Sequence, residues 1–311
     1  MTPTRAPTDR AGSTPPPFGR VLTAMVTPFT CSGELDVDGA QALAAHLVDQ
    51  GNHGLVVSGT TGESPTTSDA EKSDLLRAVV EAVGDRCAVV AGVGSNDTAH
   101  SVSLARSATA AGADGLLLVT PYYNKPPQAG VIAHVLAVAD AGPLPIMLYD
   151  VPGRSGIAME TATILSLAEH PRVVAVKDAK LDLEATSLVL ARCDLAYYSG
   201  HDPWTLPLLS VGAVGVVGTS THVSAPQTVA MVEAFVGGDP AGALALHRRL
   251  LPIFTGVFRT QGTILVKAAL RELGLPGGPV RLPLVEATPE QITTLLDDLR
   301  SAGIETTGAA A

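Results

Sequence analysis

The sequence predicts an α/β fold of the (β/α)8 TIM-barrel type with a C-terminal helical appendage. Three observations predict it. Eight short apolar runs recur at roughly 20–35 residue intervals, each run is continuous rather than alternating, and a helical segment follows nearly every one. Continuous apolar runs are what parallel strands buried on both faces require, because neither face meets water. Eight strand–helix units in succession then point to closure into a barrel.

In chain order the runs are VLTAMVTP (21–28), GLVVSG (54–59), CAVVAGVG (87–94), GLLLVTP (115–121), LPIMLYD (144–150), VVAVKD (173–178), LAYYSG (195–200) and AVGVVG (213–218). Between them lie segments with helix punctuation. DGAQALAAHLVDQG (38–51) opens on Asp38 as the expected cap and stops at Gly51. The next helix has Ser68 three residues before Glu71, the capping-box spacing, and ends at Gly84. Residues 96–114 and 182–194 repeat the same grammar. Beyond the eighth run, helices are expected at about 225–237, 239–258, 261–274 and 289–302, more than eight units need. The expected organisation is a disordered tail over 1–18, a barrel over 19–224, its final helix and a helical region over 225–303, and a loose tail over 304–311. A doubly wound open sheet is the rival architecture. GVGSND lacks the third glycine of a dinucleotide fingerprint, GAVGVVG has the wrong spacing, and no Walker motif is present.

Composition narrows the function. A formal net charge of −10 argues against a nucleic-acid partner, which needs a basic footprint. No window is apolar for long enough to span a bilayer, so no membrane partner is expected. Three scattered cysteines, Cys31, Cys87 and Cys193, form no CxxC pair and suit a reducing cytoplasm. His, Cys, Asp and Glu show no ligand spacing at the strand ends, so no metal and no cofactor are expected.

Barrel chemistry sits where the C-terminal ends of the strands converge. Those ends read Thr27, GTTGE (59–63), Gly92 and Gly94, TPYYN (120–124), YDVPGR (149–154), Lys177–Asp178, SGHD (199–202) and GTST (218–221). The set is rich in hydroxyls and small residues, with one inward lysine and one arginine. An amine held among apolar walls loses solvation of its charge, so its pKa falls and it can attack a carbonyl. The resulting iminium is an electron sink that acidifies the neighbouring carbon. Tyr149, Tyr123 and Thr60 can pass the protons without adding a fixed charge, and N–H groups around the glycines of GTTGE suit an anion. Each feature alone has an ordinary explanation: a lysine after an apolar run snorkels to water, and an arginine after Pro-Gly is a solvated turn residue. Those explanations do not predict their occurrence together at successive strand ends.

The motifs AMVTPF, GTTGESPT, VTPYYNKPPQ, YDVPGRSG, VVAVKDAK and YYSGHD follow one another from Val21 onward. LVKAALRELGL (265–275) and RLPL (281–284) extend the series towards Arg300. In these the chain resembles the dihydrodipicolinate synthases, pyruvate-dependent class I aldolases built on (β/α)8 barrels. The resemblance implies condensation of pyruvate with aspartate semialdehyde in diaminopimelate and lysine biosynthesis, through an imine on Lys177. It implies Tyr149 as general acid/base, with Thr60 and Tyr123 completing a proton relay, Tyr123 reaching across a tight-dimer interface into the partner's site. Thr61 would hold the pyruvate carboxylate, Gly200 and Val217 would line the pocket with main-chain groups, and Arg154 would meet the carboxylate of the second substrate. Lys180 does not match the imine lysine and is expected in solvent on the following loop. The assembly implied is a homotetramer, a dimer of dimers.

Three features depart from the family pattern. His201 stands where an acid is common, and 215–223 (GVVGTSTHV) replaces the more usual serine-containing run. Lys72 and His100 stand where lysine-inhibited members resemble a His and Glu pair, so weak feedback inhibition by lysine is expected. Another pyruvate-dependent 2-keto acid aldolase, or a non-catalytic barrel binding such acids, is the alternative reading.

Overall fold

A computed structural model describes residues 16–305. All eight apolar runs are strands: β1 (Val21–Ala24), β2 (Gly54–Val57), β3 (Ala88–Gly92), β4 (Gly115–Val119), β5 (Ile146–Asp150), β6 (Val173–Asp178), β7 (Ala196–Ser199) and β8 (Gly215–Gly218). Each pairs in parallel with its sequence neighbours, and β8 pairs with β1, closing the barrel. The strands are short and nearly all buried on both faces, which explains the absence of alternation in the sequence.

Side chains nevertheless alternate in direction. Leu22, Val56, Val90, Leu117, Met147, Ala175 and Val217 pack together inside the barrel, whereas Val21, Leu55, Val89, Leu116, Leu148, Val176 and Val216 pack outward against the helices. Phe18 belongs to the inner set and is 2% exposed. The sequence places it in the N-terminal tail, but its aromatic surface plugs the barrel's lower end; residues 1–15 lie outside the described residues. Ile304 is likewise buried, so the expected loose tail from 304 begins inside the packed structure; 306–311 lie outside the described residues.

The helical layer comprises α1 (Val37–Asp49), α2 (Asp69–Val83), α3 (Thr98–Ala110), α4 (Gln128–Ala139), a single turn α5 (Pro152–Ser155), α6 (Thr161–Leu167), α7 (Leu183–Leu190), α8 (Thr205–Leu209) and α9 (Thr221–Val236). The appendage consists of α10 (Pro240–Gly256), α11 (Gly262–Glu272) and α12 (Pro289–Ser301). The Ser68–Glu71 capping box is present at α2. At α1 the cap is Asp36, whose carboxylate accepts from the Gly39 N–H; Asp38 sits in the first turn. Both aspartates suit a helix start, and the extended backbone at Asp36 decides which one caps.

Candidate active site

β5 and β6 place the central pair. Their register sets Tyr149 beside Lys177, and both side chains point into the barrel because they share the inward phase with Met147 and Ala175. The Lys177 nitrogen lies 4.4 Å from the centre of the Tyr149 ring, and each residue is 5% exposed. Burial lowers the Lys177 pKa to about 8; the Asp202 carboxylate opposes that shift and the Arg154 guanidinium adds to it. Burial raises the Tyr149 phenol, opposed by the charge of Arg154 and the hydroxyl of Thr60. The site therefore holds an amine that gives up its proton far more readily than a free lysine does, beside a protonated phenol. Together they can form an imine and move its protons.

Gly200, at the end of β7, leaves the room this lysine needs. A Cβ there would stand 3.0 Å from Lys177 Cγ and 3.1 Å from the Asp178 carbonyl oxygen. Gly92 has a similar role at β3, where a Cβ would come within 2.3 Å of the Ser58 carbonyl.

A cavity of about 220 Å³ opens at the C-terminal ends of β2 to β5, walled by Thr60, Tyr122, Tyr149 and Arg154. Arg154 reaches it from α5, whose turn ends at Gly156 with φ 81°, a conformation glycine adopts without strain. Lys177, Thr61, Gly200 and Val217 do not line this cavity; Tyr149 joins the two halves. Thr61 is buried with its hydroxyl 3.4 Å from that of Thr219, on the side of the barrel where β8 ends. Val217 is fully buried in the inner layer, one position before Gly218 at the strand end.

Tyr123 is not brought to the site of its own chain. It is 88% exposed, with a left-handed φ of 73°, while Tyr122 turns to the cavity. The left-handed turn at Tyr123 sends the two neighbouring rings in different directions, and the sequence does not say which one meets the cavity.

Lys180 corrects the sequence reading. Its side chain is 12% exposed, with Nζ 3.7 Å from an oxygen of the buried Asp150 carboxylate and donating to the Met159 carbonyl at 3.3 Å. Strand alternation puts Asp150 and Asp178 on the outer face, directly behind Tyr149 and Lys177. Two adjacent carboxylates under the helical layer require a cation, and Lys180 supplies it.

Asp202 is a functional candidate that the motif SGHD only hinted at. It is buried, its Oδ1 accepts from the hydroxyl of Ser220 at 2.8 Å, and its carboxylate accepts from the N–H of Thr219 at 3.2 Å. It ties the end of β7 to the loop after β8 and faces Lys177 electrostatically. His201 packs its ring 5.9 Å from that of Phe258; burial lowers its pKa against the pull of Asp202, which favours the neutral imidazole. Among the described residues, no group of three or more His, Cys, Asp or Glu could hold a metal ion. No helix among the described residues is long and apolar enough to cross a membrane.

Residues 17–302 match the profile of the Dihydrodipicolinate synthetase family. The chain belongs to that family. It is 68% identical over 289 residues to the 4-hydroxy-tetrahydrodipicolinate synthase of Acidothermus cellulolyticus, a match covering 93% of this chain and 94% of that protein. It is 63% identical to the 4-hydroxy-tetrahydrodipicolinate synthase 2 of Streptomyces coelicolor, covering 93% and 97% respectively. In three dimensions it superimposes on the crystal structure of DHDPS from Cyanidioschyzon merolae with lysine bound, at a TM-score of 0.91 and 44% identity. That match covers 93% of this chain and 100% of the other. The (β/α)8 barrel and the appendage are thus features of the family, as the motifs implied.

Proposed function

We propose that this protein is a 4-hydroxy-tetrahydrodipicolinate synthase, condensing pyruvate with L-aspartate 4-semialdehyde through an imine on Lys177. The observation that carries the reading is the dried-out Lys177 amine against the Tyr149 phenol at the mouth of the barrel. The names of the relatives in Acidothermus and Streptomyces support the choice of reaction.

In this reading the neutral Lys177 amine adds to the pyruvate keto carbon, and the carbinolamine loses water to give an iminium. Tyr149, relayed through Thr60, supplies the proton that the departing hydroxyl takes up. Loss of a proton from the pyruvate methyl group gives an enamine, whose carbon bonds to the aldehyde carbon of the second substrate. The aldehyde oxygen takes a proton from the relay. The substrate's own amine then attacks the iminium carbon, displaces Lys177 and closes the ring. Thr61 and the N–H groups of its loop hold the pyruvate carboxylate. Arg154, at the cavity wall, grips the carboxylate of the semialdehyde with two parallel N–H bonds. No cofactor takes part.

The exposed Tyr123 supports an assembled enzyme in which it completes the relay of a second copy, within a dimer of dimers. Three cysteines with no CxxC pair among them are in keeping with a cytoplasmic protein that serves diaminopimelate and lysine biosynthesis.

Borohydride reduction in the presence of pyruvate tests the central step. One reduced pyruvate adduct on Lys177, located by peptide mass, is the expected result. No adduct, or an adduct on Lys180, overturns the reading. Turnover of sugar-derived 2-keto acids in place of the semialdehyde would instead assign another aldolase of the same chemistry.

A further inference from the structure

The loop that carries Thr60 and Thr61 is held from behind by the C-terminal appendage. Glu63 ends the GTTGE segment with a left-handed φ of 53°, and its carboxylate points away from the cavity towards α11. There Glu63 Oε1 lies 2.7 Å from the Lys267 ammonium, with the two side chains 1% and 0% exposed. Lys267 donates onward to the Pro279 carbonyl at 2.7 Å and stands 4.3 Å over the Phe29 ring. The other oxygen, Glu63 Oε2, accepts the Arg281 N–H at 2.9 Å. The Arg281 side chain then donates to the carbonyls of Gly33 and Thr66 and pairs with Glu71 on α2.

A second tie is independent of this pair. The Thr263 hydroxyl, at the start of α11, donates to the Thr61 carbonyl at 3.0 Å. The peptide after Thr61 therefore has its carbonyl tied to the appendage, in the loop assigned above to the pyruvate carboxylate. Two residues on, the same loop is anchored by a pair of charges with almost no access to water. Buried ions without a partner are costly, so the carboxylate cannot leave Lys267 while the loop stays packed. A displacement of α11 would thus move the carboxylate-binding end of the loop and leave Lys177 and Tyr149, on β6 and β5, in place.

We propose that Glu63, Lys267 and Thr263 are positioning residues through which the appendage sets the affinity for the pyruvate carboxylate. The inference rests on the reading of the site given above and adds a role for the helices beyond the barrel. None of the three touches the reacting atoms. Arg154 stands on α5, outside these contacts, so the grip on the second substrate's carboxylate is left in place.

Thr263→Val and Glu63→Gln, made in the full-length chain, test it. Thr263→Val removes one hydroxyl at nearly constant shape; Glu63→Gln keeps an acceptor for the Arg281 N–H and removes the charge opposite Lys267. The readouts are the pyruvate concentration that half-saturates borohydride trapping, and KM for each substrate. For Thr263→Val, half-saturation by pyruvate should rise about fivefold, the worth of one hydrogen bond. For Glu63→Gln it should rise by about tenfold or more, since a charged partner is lost. KM for the semialdehyde should stay at its wild-type value in both. Wild-type half-saturation in a folded Thr263→Val protein overturns the proposal, whatever happens to thermal stability or to Glu63→Gln. Failure of the wild-type protein to form an adduct at saturating pyruvate would instead overturn the reading of the reaction.

Discussion

Lys180 Nζ lies 3.7 Å from the Asp150 carboxylate, on the outer face of the two strand ends that carry Tyr149 and Lys177 inward. Two lysines three residues apart thus have opposite roles. One stands over the Tyr149 ring among barrel side chains, and the other neutralises a carboxylate beneath the helical layer.

That pair has a consequence for stability. Burial, opposed by Lys180 and helped by Asp178, raises Asp150 from an ordinary 3.8 to about 6. The folded state holds this proton more tightly than the unfolded chain does. The resulting stabilisation is fully present below pH 3.8 and is lost as pH rises through about 6. Wild-type stability relative to Asp150→Asn should therefore be greatest at the acid end and decline by ~2–3 kcal/mol towards pH 7. Denaturant melts of both proteins from pH 4 to 7 measure it; a difference that grows with pH would mean that the ion pair, not desolvation, dominates.

Lys177, held at about 8, should impose an acid limb on the reaction. The attacking form is the free amine, so kcat/KM for pyruvate should rise tenfold per pH unit below that value and level off above it. Arg154→Ala removes a cation that lowers the lysine's pKa, so the limb should move to higher pH. A pH–rate profile unchanged in position would contradict the electrostatic coupling.

The same substitution should weaken the second substrate. Loss of a bidentate guanidinium–carboxylate contact corresponds to about 10- to 100-fold in KM for aspartate semialdehyde. Arg154→Lys should recover only part of it, because an ammonium cannot present two parallel N–H bonds. Steady-state kinetics with each substrate varied separately gives the answer.

Added L-lysine should inhibit weakly or not at all. Lys72 is half-buried and donates to the Thr67 carbonyl, and His100 lies 3.0 Å from Asp69, occupying the nearby carboxylate. A bound lysine ammonium would meet a cation at Lys72 rather than a free acid. Potent inhibition at sub-millimolar lysine in a steady-state assay would refute this.

Much of the site was legible before any fold was known. Continuous apolar runs record burial on both faces, and their ends identify the mouth, so Lys177, Tyr149, Thr60 and Arg154 could be named together. The cap at α1 was misplaced by two residues because Asp36 and Asp38 have the same chemistry and differ only in backbone conformation. Lys180 was misread because a lysine just past a strand usually reaches water, and only the packing of α6 and α7 over Asp150 and Asp178 closes that route.

The sequence by itself determined the eight strands and their succession with helices, from which a parallel barrel was expected, and the resemblance of its motifs singled out Lys177 over Lys180. Tertiary structure alone decided that Tyr122 rather than Tyr123 faces the cavity, that Lys180 is spent on Asp150, and that Glu63 meets Lys267. These depend on which surfaces meet across the closed barrel, and residues so far apart in the chain leave no periodic trace of their contact.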